Sequence, residues 1–293
     1  MEEVKQFIER VKRDILYGHD IAPPFVDVDK CIGCGLCVKV CPALVFELKE
    51  KKSSVSREEG CFACGQCWAV CPEEAVRQKD VATAPTLKPG LSPAVPADAL
   101  LLLLRERRST RLFTDEPISK EQLLQIIDAG RYAPTASNRQ SVNYVVVSGD
   151  DKVSELRSLV ESFMEKTFEV VQNDVMRYYA LGYQNYKASA KKNAYFPLPY
   201  GPAVIITHTQ SFDPMAPFNC AVALYNGSLM AHSLGLGSCF LGFVQNGASV
   251  DKGIKQWLGI PEENQSYAAM VVGHPDVTYH RLVERKSPEI TWR

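Results

Sequence analysis

Eight cysteines in two runs of identical spacing constrain this chain more than any other feature. Cys31, Cys34, Cys37 and Cys41 form a Cys-x2-Cys-x2-Cys-x3-Cys run that ends on Pro42. Cys61, Cys64, Cys67 and Cys71 repeat it thirty positions later and end on Pro72. A segment as short as residues 25–81 cannot bury enough apolar surface to fold well alone, so whatever the thiolates hold acts as its core. Zinc needs only two Cys-x2-Cys pairs per site and leaves the third cysteine and the prolines without a purpose.

The doubled run resembles the signature of bacterial two-cluster ferredoxins, in which the fourth cysteine of each run serves the opposite cluster. The resemblance implies two [4Fe-4S] clusters: cluster one on Cys31, Cys34, Cys37 and Cys71, and cluster two on Cys61, Cys64, Cys67 and Cys41. Gly33, Gly35 and Gly65 suit the tight winding and let backbone N–H groups approach the sulfurs. The first third of the chain then reads as an electron conduit.

The remaining composition bounds what the conduit can serve. With 293 residues and a formal charge of -1 from 33 basic and 34 acidic side chains, nothing suggests nucleic acid or an anionic membrane as a partner. The opening Met1-Glu2-Glu3 lacks the apolar core of a signal peptide. The run Ala99 to Leu104 is far short of the ~20 apolar residues of a membrane span. Free thiolates for clusters point to a reducing, cytoplasmic setting. The five histidines, His19, His208, His232, His274 and His280, have no metal-ligand spacing. Cys220 and Cys239 lie in apolar surroundings and read as packed side chains.

The chain divides into an N-terminal helix (1–24), the cluster module (25–81), a proline-rich linker (82–98) and a larger domain (99–293). Val4, Ile8, Val11 and Ile15 recur at helical spacing. Pro85, Pro89, Pro93 and Pro96 make the linker semi-rigid. In the larger domain a helix covers Ala99 to Arg107. Ser119-Lys-Glu-Gln122 is a capping-box start for another, with Leu123, Leu124, Ile127 and Ala129 along it. Tyr144–Ser148, Ala203–Thr207 and Ala268–Gly273 read as buried strands. Asn219 to Leu234 reads as an almost wholly apolar helix, central or at an interface, with Asn219 capping it. Residues 155–202 read as mostly helical, and no βαβ regularity is present.

Three motifs of this domain resemble the nitroreductase family in the family's order: Arg107-Arg108-Ser109-Thr110-Arg111 followed by Phe113 and Pro117-Ile118; Ala133-Pro134-Thr135-Ala136-Ser137-Asn138-Arg139-Gln140; and Leu234 to Gly242. The resemblance implies FMN. Its phosphate is a dianion, for which arginines and a hydroxyl make a natural clamp. By resemblance Arg107, Ser109 and Arg111 grip phosphate or ribityl oxygens, Arg108 lies near the ring's polar edge, and Arg285, within Arg281 to Lys286, completes the phosphate site. By the same resemblance the loop from Pro134 through Thr135 and Ala136 to Asn138 crosses to the flavin of a partner subunit, where Asn138 hydrogen-bonds it, and Gln140 is a further cofactor-binding residue. Ser-Val-Asn follows Gln140 where many relatives have Pro-Trp. Leu241 and Gly242 line up with the stretch whose backbone N–H meets flavin N5, the Gly242 N–H being the expected donor. No catalytic acid is evident.

The implied fold class is α+β: a ferredoxin-type 2[4Fe-4S] module followed by a nitroreductase-like α/β/α FMN domain in an intertwined homodimer. The implied function is an iron-sulfur flavoprotein oxidoreductase. It passes electrons from two clusters to FMN and on to a small planar acceptor such as a nitroaromatic or quinone. NAD(P)H as a transient reductant or a redox protein would supply the electrons. Two rivals remain at this point: a relay that delivers electrons between protein partners, and a flavoenzyme like the reductive dehalogenases. Tyr178, Tyr179, Tyr183, Tyr186 and Tyr195 separate a small-molecule enzyme from the relay, according to whether they wall a pocket or leave a flat face.

Overall fold

A computed structural model describes residues 23–78, 95–171, 174–188, 198–199 and 201–293. The expected N-terminal helix and most of the linker lie outside the described residues. The described chain divides into two units: 23–78 together with 135–140, and the remainder from residue 95 on. The loop 135–140, read as part of the second domain, thus groups with the first unit.

In the first unit, strand β1 (Pro24–Val26) pairs antiparallel with β4 (Val76–Gln78), closing the two ends of the repeat. Helices α1 (Leu36–Val40) and α2 (Gln66–Ala69) start from Gly35 and Gly65, both at φ 72°. The backbone repeats with the sequence: Gly33 and Ala63, and likewise Leu44 and Glu74, all take positive φ. The hairpin of β2 (Phe46–Lys49) and β3 (Lys52–Val55) follows the first run and turns on Glu50 and Lys51, both left-handed. Cys37, Val45, Phe46, Cys67 and Val76 form the small core.

The second unit is built on a four-stranded antiparallel sheet in the order β5-β6-β8-β7, from β5 (Asn143–Ser148), β6 (Ala203–Gln210), β7 (Gly237–Phe240) and β8 (Asn264–Gly273). Strand periodicity sends successive side chains to opposite faces, and here both faces are buried. Val204 and Ile206 of β6 join Ala269 and Val271 of β8 on one face. Ala203 and Ile205 join Ala268, Met270 and Val272 on the other. The first face packs α5 (Asp150–Val170) through Val153, Leu156, Val160 and Met164, α8 (Gly242–Val250) through Val244 and Ala248, and α9 (Lys252–Trp257) through Ile254. The second packs α4 (Lys120–Arg131) and α7 (Ala216–Ser233) through Leu123, Ile126, Leu224 and Ala231. This is a three-layer α/β/α arrangement. Two further helices are α3 (Ala97–Glu106) and α6 (Asp174–Ala188).

One local expectation holds in detail and one needs correction. Helix α4 has its capping box, and its buried face is Leu123, Ile126 and Gly130, and Leu124 is exposed. The three- and four-residue steps from Leu123 select that stripe. Helix α7 starts at Ala216, before Asn219. Asp213 accepts from the Met215 N–H at 2.9 Å and from the Asn219 amide at 3.2 Å, so Asn219 lies inside the helix, fully buried, rather than at its cap. No helix among the described residues is long and apolar enough to cross a membrane.

Candidate functional site

The cysteines line two cavities. Cys31, Cys34, Cys37 and Cys71 share one with Ser53 and Ala75. Cys41, Cys61, Cys64 and Cys67 share the other with Phe62, Gly65 and Val45. Each cavity therefore takes three cysteines from one run and the fourth from the other. All ten cysteines are free thiols. Among the described residues no three His, Cys, Asp or Glu groups close around a single ion.

Backbone donors are already aimed at these sulfurs. In the first cavity Ser53 N–H meets Cys31 Sγ at 3.4 Å, Ala75 N–H meets Cys71 Sγ at 3.2 Å, and the Ser53 hydroxyl lies 3.1 Å from Cys37 Sγ. In the second, Ala63 N–H meets Cys61 Sγ at 3.3 Å and Val45 N–H meets Cys41 Sγ at 3.4 Å. The Val45 and Ala75 contacts stand at the same place in the two repeats. Burial pushes the Cys67 thiol up to about 12 and raises Cys61, with neighbouring cysteines adding to both. A bare thiolate is disfavoured there, and a cationic iron core would offset that cost. The donor set fits an iron-sulfur cluster in each cavity.

In the second unit the arginine run is held as a short edge beside β7. Ser109 bridges Ser238, and Thr110 N–H donates to the Ser238 carbonyl at 3.0 Å. A Cβ on Gly237 would lie 2.6 Å from the Thr110 side chain, so glycine permits this approach. Arg107 stacks on Tyr225, 5.8 Å from the ring centroid, and its buried Nε has no hydrogen-bond partner among the described residues. Arg111 donates to the Ser109 carbonyl at 3.1 Å. Cys239 lies beside Ser109, Arg107 and Arg111. Its thiol is raised by burial, with Arg111, Ser109 and Arg107 pulling the other way. Cys220 is pushed up to about 12, chiefly by burial. Both thiols are packed and protonated near neutrality.

From Cys239, about 10 Å of extended chain at the usual strand rise leads to Gly242. The Leu241 N–H is taken by the Ala269 carbonyl at 2.8 Å. Gly242 opens helix α8, where an N–H has no acceptor within the helix. It is exposed, and a Cβ there would meet nothing within 4 Å. An orphaned guanidinium nitrogen at one end and an open glycine N–H at the other fit a flavin phosphate and ring. Arg108 is half-buried between them in sequence, while Arg285 lies on the exposed C-terminal stretch.

The remaining predicted residues fall elsewhere. Pro134 is exposed, and Thr135, Ala136 and Asn138 are half-buried in the loop that groups with the first unit. Gln140 N–H donates to the Thr135 hydroxyl at 3.0 Å, and the Asn138 amide donates to the Ala63 carbonyl at 3.0 Å. The Asn138–Ala63 contact carries no signal in either motif. Of the tyrosines, Tyr183 is buried, and Tyr179 sets its ring edge-on to Phe243, 5.3 Å away and next to Gly242. Tyr178 is exposed, and Tyr195 and the Tyr186 side chain lie outside the described residues.

Comparison with known proteins agrees with both halves. The model of the nitroreductase family matches residues 104–274, and that of a 4Fe-4S dicluster domain matches residues 24–78. The chain is 29% identical over 171 residues to an NADPH-flavin oxidoreductase of Vibrio harveyi, covering 58% of this chain and 62% of that protein. It is 27% identical over 172 residues to an FMN reductase (NADPH) of Bacillus subtilis, covering 57% and 62%. The chain thus spans 62% of the length of each of these relatives. A nitroreductase with bound FMN from Bacteroides fragilis superposes with a TM-score of 0.52 at 22% identity, covering 66% of this chain and 98% of that one.

Proposed function

The chain belongs to the nitroreductase family, and from that premise we propose that it is an FMN-dependent oxidoreductase supplied with electrons by two built-in [4Fe-4S] clusters. The observation that carries the reading is the pair of four-cysteine cavities, each lined from both runs, in one chain with a nitroreductase domain. Cluster one takes Cys31, Cys34, Cys37 and Cys71; cluster two takes Cys61, Cys64, Cys67 and Cys41. When bound, FMN accepts electrons singly and releases them as a pair to an acceptor.

The residues of the domain do the holding. Arg107, Ser109 and Arg111 clamp the phosphate, with Arg108 near the ring and Arg285 completing the clamp. The Gly242 N–H hydrogen-bonds the ring edge, and Tyr179 against Phe243 gives the acceptor side an aromatic wall. That wall favours a small planar acceptor, a nitroaromatic or quinone, over a flat protein partner. A low-potential redox protein supplies the electrons, with NAD(P)H as the alternative donor. Free thiolates of this kind belong in a reducing, cytoplasmic compartment.

The chain acts as a homodimer. Helix α3 buries none of its residues, although Leu100, Leu101, Leu102 and Leu104 make it strongly apolar. Tyr279, Leu282, Val283, Ile290 and Trp292 leave the C-terminal stretch equally exposed. A second copy is the partner that covers such surface. Light scattering on the holoprotein tests this, and a monomer at micromolar concentration would refute it. For the electron path, protein stripped of its clusters but loaded with FMN is assayed with NAD(P)H and a quinone. Turnover should be lost; full turnover without clusters would overturn the reading.

A further inference from the structure

The two halves of the cysteine repeat are covered differently, and the difference selects one cavity. Gly33 and Ala63 stand at the same place in the two runs, at φ 72° and 51°. Gly33 is roofed by the β2–β3 hairpin: a Cβ there would lie 1.9 Å from the Lys51 carbonyl oxygen. Lys52 adds a bond to the Cys31 carbonyl at 2.5 Å, and Ser53 reaches the sulfurs of Cys31 and Cys37. At Ala63 a methyl occupies the place that the hairpin carbonyl takes over Gly33. Here the Asn138 side-chain amide donates to the Ala63 carbonyl at 3.0 Å and to the Phe62 carbonyl at 3.4 Å.

The Phe62–Ala63 peptide is therefore bonded at both ends. Its carbonyl accepts from Asn138, and its N–H donates to Cys61 Sγ at 3.3 Å. Hydrogen bonds in series polarise one another, so the amide strengthens the N–H that faces the sulfur. Phe62 also lines the cavity of Cys41, Cys61, Cys64 and Cys67. The loop that supplies Asn138 is costly to hold: Ser137, Asn138 and Gln140 all take left-handed backbone, at φ 51–52°. Strain of that kind persists only where surrounding contacts impose it. Within the nitroreductase match, 104–274, the loop 135–140 is the segment that groups with the cluster-bearing unit, and it rests on the second run.

We infer that Asn138 is a positioning residue that makes the cluster of Cys61, Cys64, Cys67 and Cys41 the exit of the cluster pair. This rests on the electron path proposed above. With the groups bound, a low-potential one-electron donor would reduce the cluster held by Cys31, Cys34, Cys37 and Cys71, and the cluster held by Cys61, Cys64, Cys67 and Cys41 would give up one electron for each one the flavin gains. Two such passages and two protons from solvent complete the flavin's reduction.

Asn138→Asp and Asn138→Gly test this, since both residues tolerate left-handed backbone and neither can donate. The measurement is an EPR-monitored redox titration of the holoprotein, with Cys64→Ser identifying the signal of the second cavity. Flavin reduction after photoreduction of the clusters is followed on the same samples. In both variants the midpoint of the exit cluster should fall while the other stays put. Flavin reduction should slow by about tenfold or more, as small misplacements do. Unmoved midpoints, equal shifts in both clusters, or an unchanged rate would overturn the role of Asn138. Failure of the wild-type clusters to reduce the flavin at all would overturn the electron path itself, and the exit assignment with it.

Discussion

The Ser53 hydroxyl and the Cys37 sulfur lie 3.1 Å apart in the buried wall of the first cysteine cavity. Once the cysteine is a thiolate, the hydroxyl is the donor, and it favours the more negative, reduced cluster. Ser53→Ala removes this bond and little volume. A net loss of about 1 kcal/mol lowers a one-electron midpoint by roughly 40 mV. Redox titration should show that fall in the first cluster, with the second unchanged.

Gly33 and Gly65 share a φ of 72° but differ in what surrounds them. Gly33→Ala drives a methyl into the Lys51 carbonyl, whereas at Gly65 nothing lies within 4 Å of the added carbon. Gly33→Ala should displace the hairpin and cut iron and sulfide content. Gly65→Ala meets only the left-handed backbone penalty of about 1–2 kcal/mol. It should lower the melting temperature and leave the iron content intact.

Arg107 has a buried Nε with no partner among the described residues. Arg107→Ala should weaken FMN binding roughly 10- to 100-fold, the loss of one charge-assisted hydrogen bond. Flavin fluorescence titration and the flavin retained after desalting measure this. Full retention would remove Arg107 from the phosphate clamp.

The Tyr144 hydroxyl is also buried without a partner among the described residues, and burial pushes its phenol up to about 12. Tyr144→Phe should leave stability unchanged or raise it by up to about 1 kcal/mol. Gly130→Ala places a methyl 2.5 Å from that oxygen and 3.1 Å from the Ala223 carbonyl, and should destabilise. Combined with Tyr144→Phe, the cost of Gly130→Ala should fall. Thermal melts of the four proteins give the coupling directly.

Strong local patterns made much of this architecture readable from the residues. The apolar runs in β6 and β8 declare themselves because both faces of these strands are buried. The Ser119–Gln122 capping box marks its helix start through reciprocal bonds at 3.0 and 3.1 Å. Strand β7 is silent by comparison: Gly237, Ser238 and Cys239 carry no β-branched residue, and only Thr110 pressing on Gly237 explains the glycine. The Glu50–Lys51 turn hides for a related reason, since its left-handed residues are neither glycine nor asparagine. The cysteine spacing shows which sulfurs can share a cavity. That Asn138 reaches the Ala63 carbonyl follows from tertiary placement across 75 positions of sequence, which no local pattern encodes.

The crossed lining of the cavities bears on how the protein is made. The first cavity lacks its last cysteine until Cys71 is made and the second until Cys67, so neither set is complete before the second run has been synthesised. Both sites then become available together. A chain truncated between the two runs would leave every early thiol without a finished site.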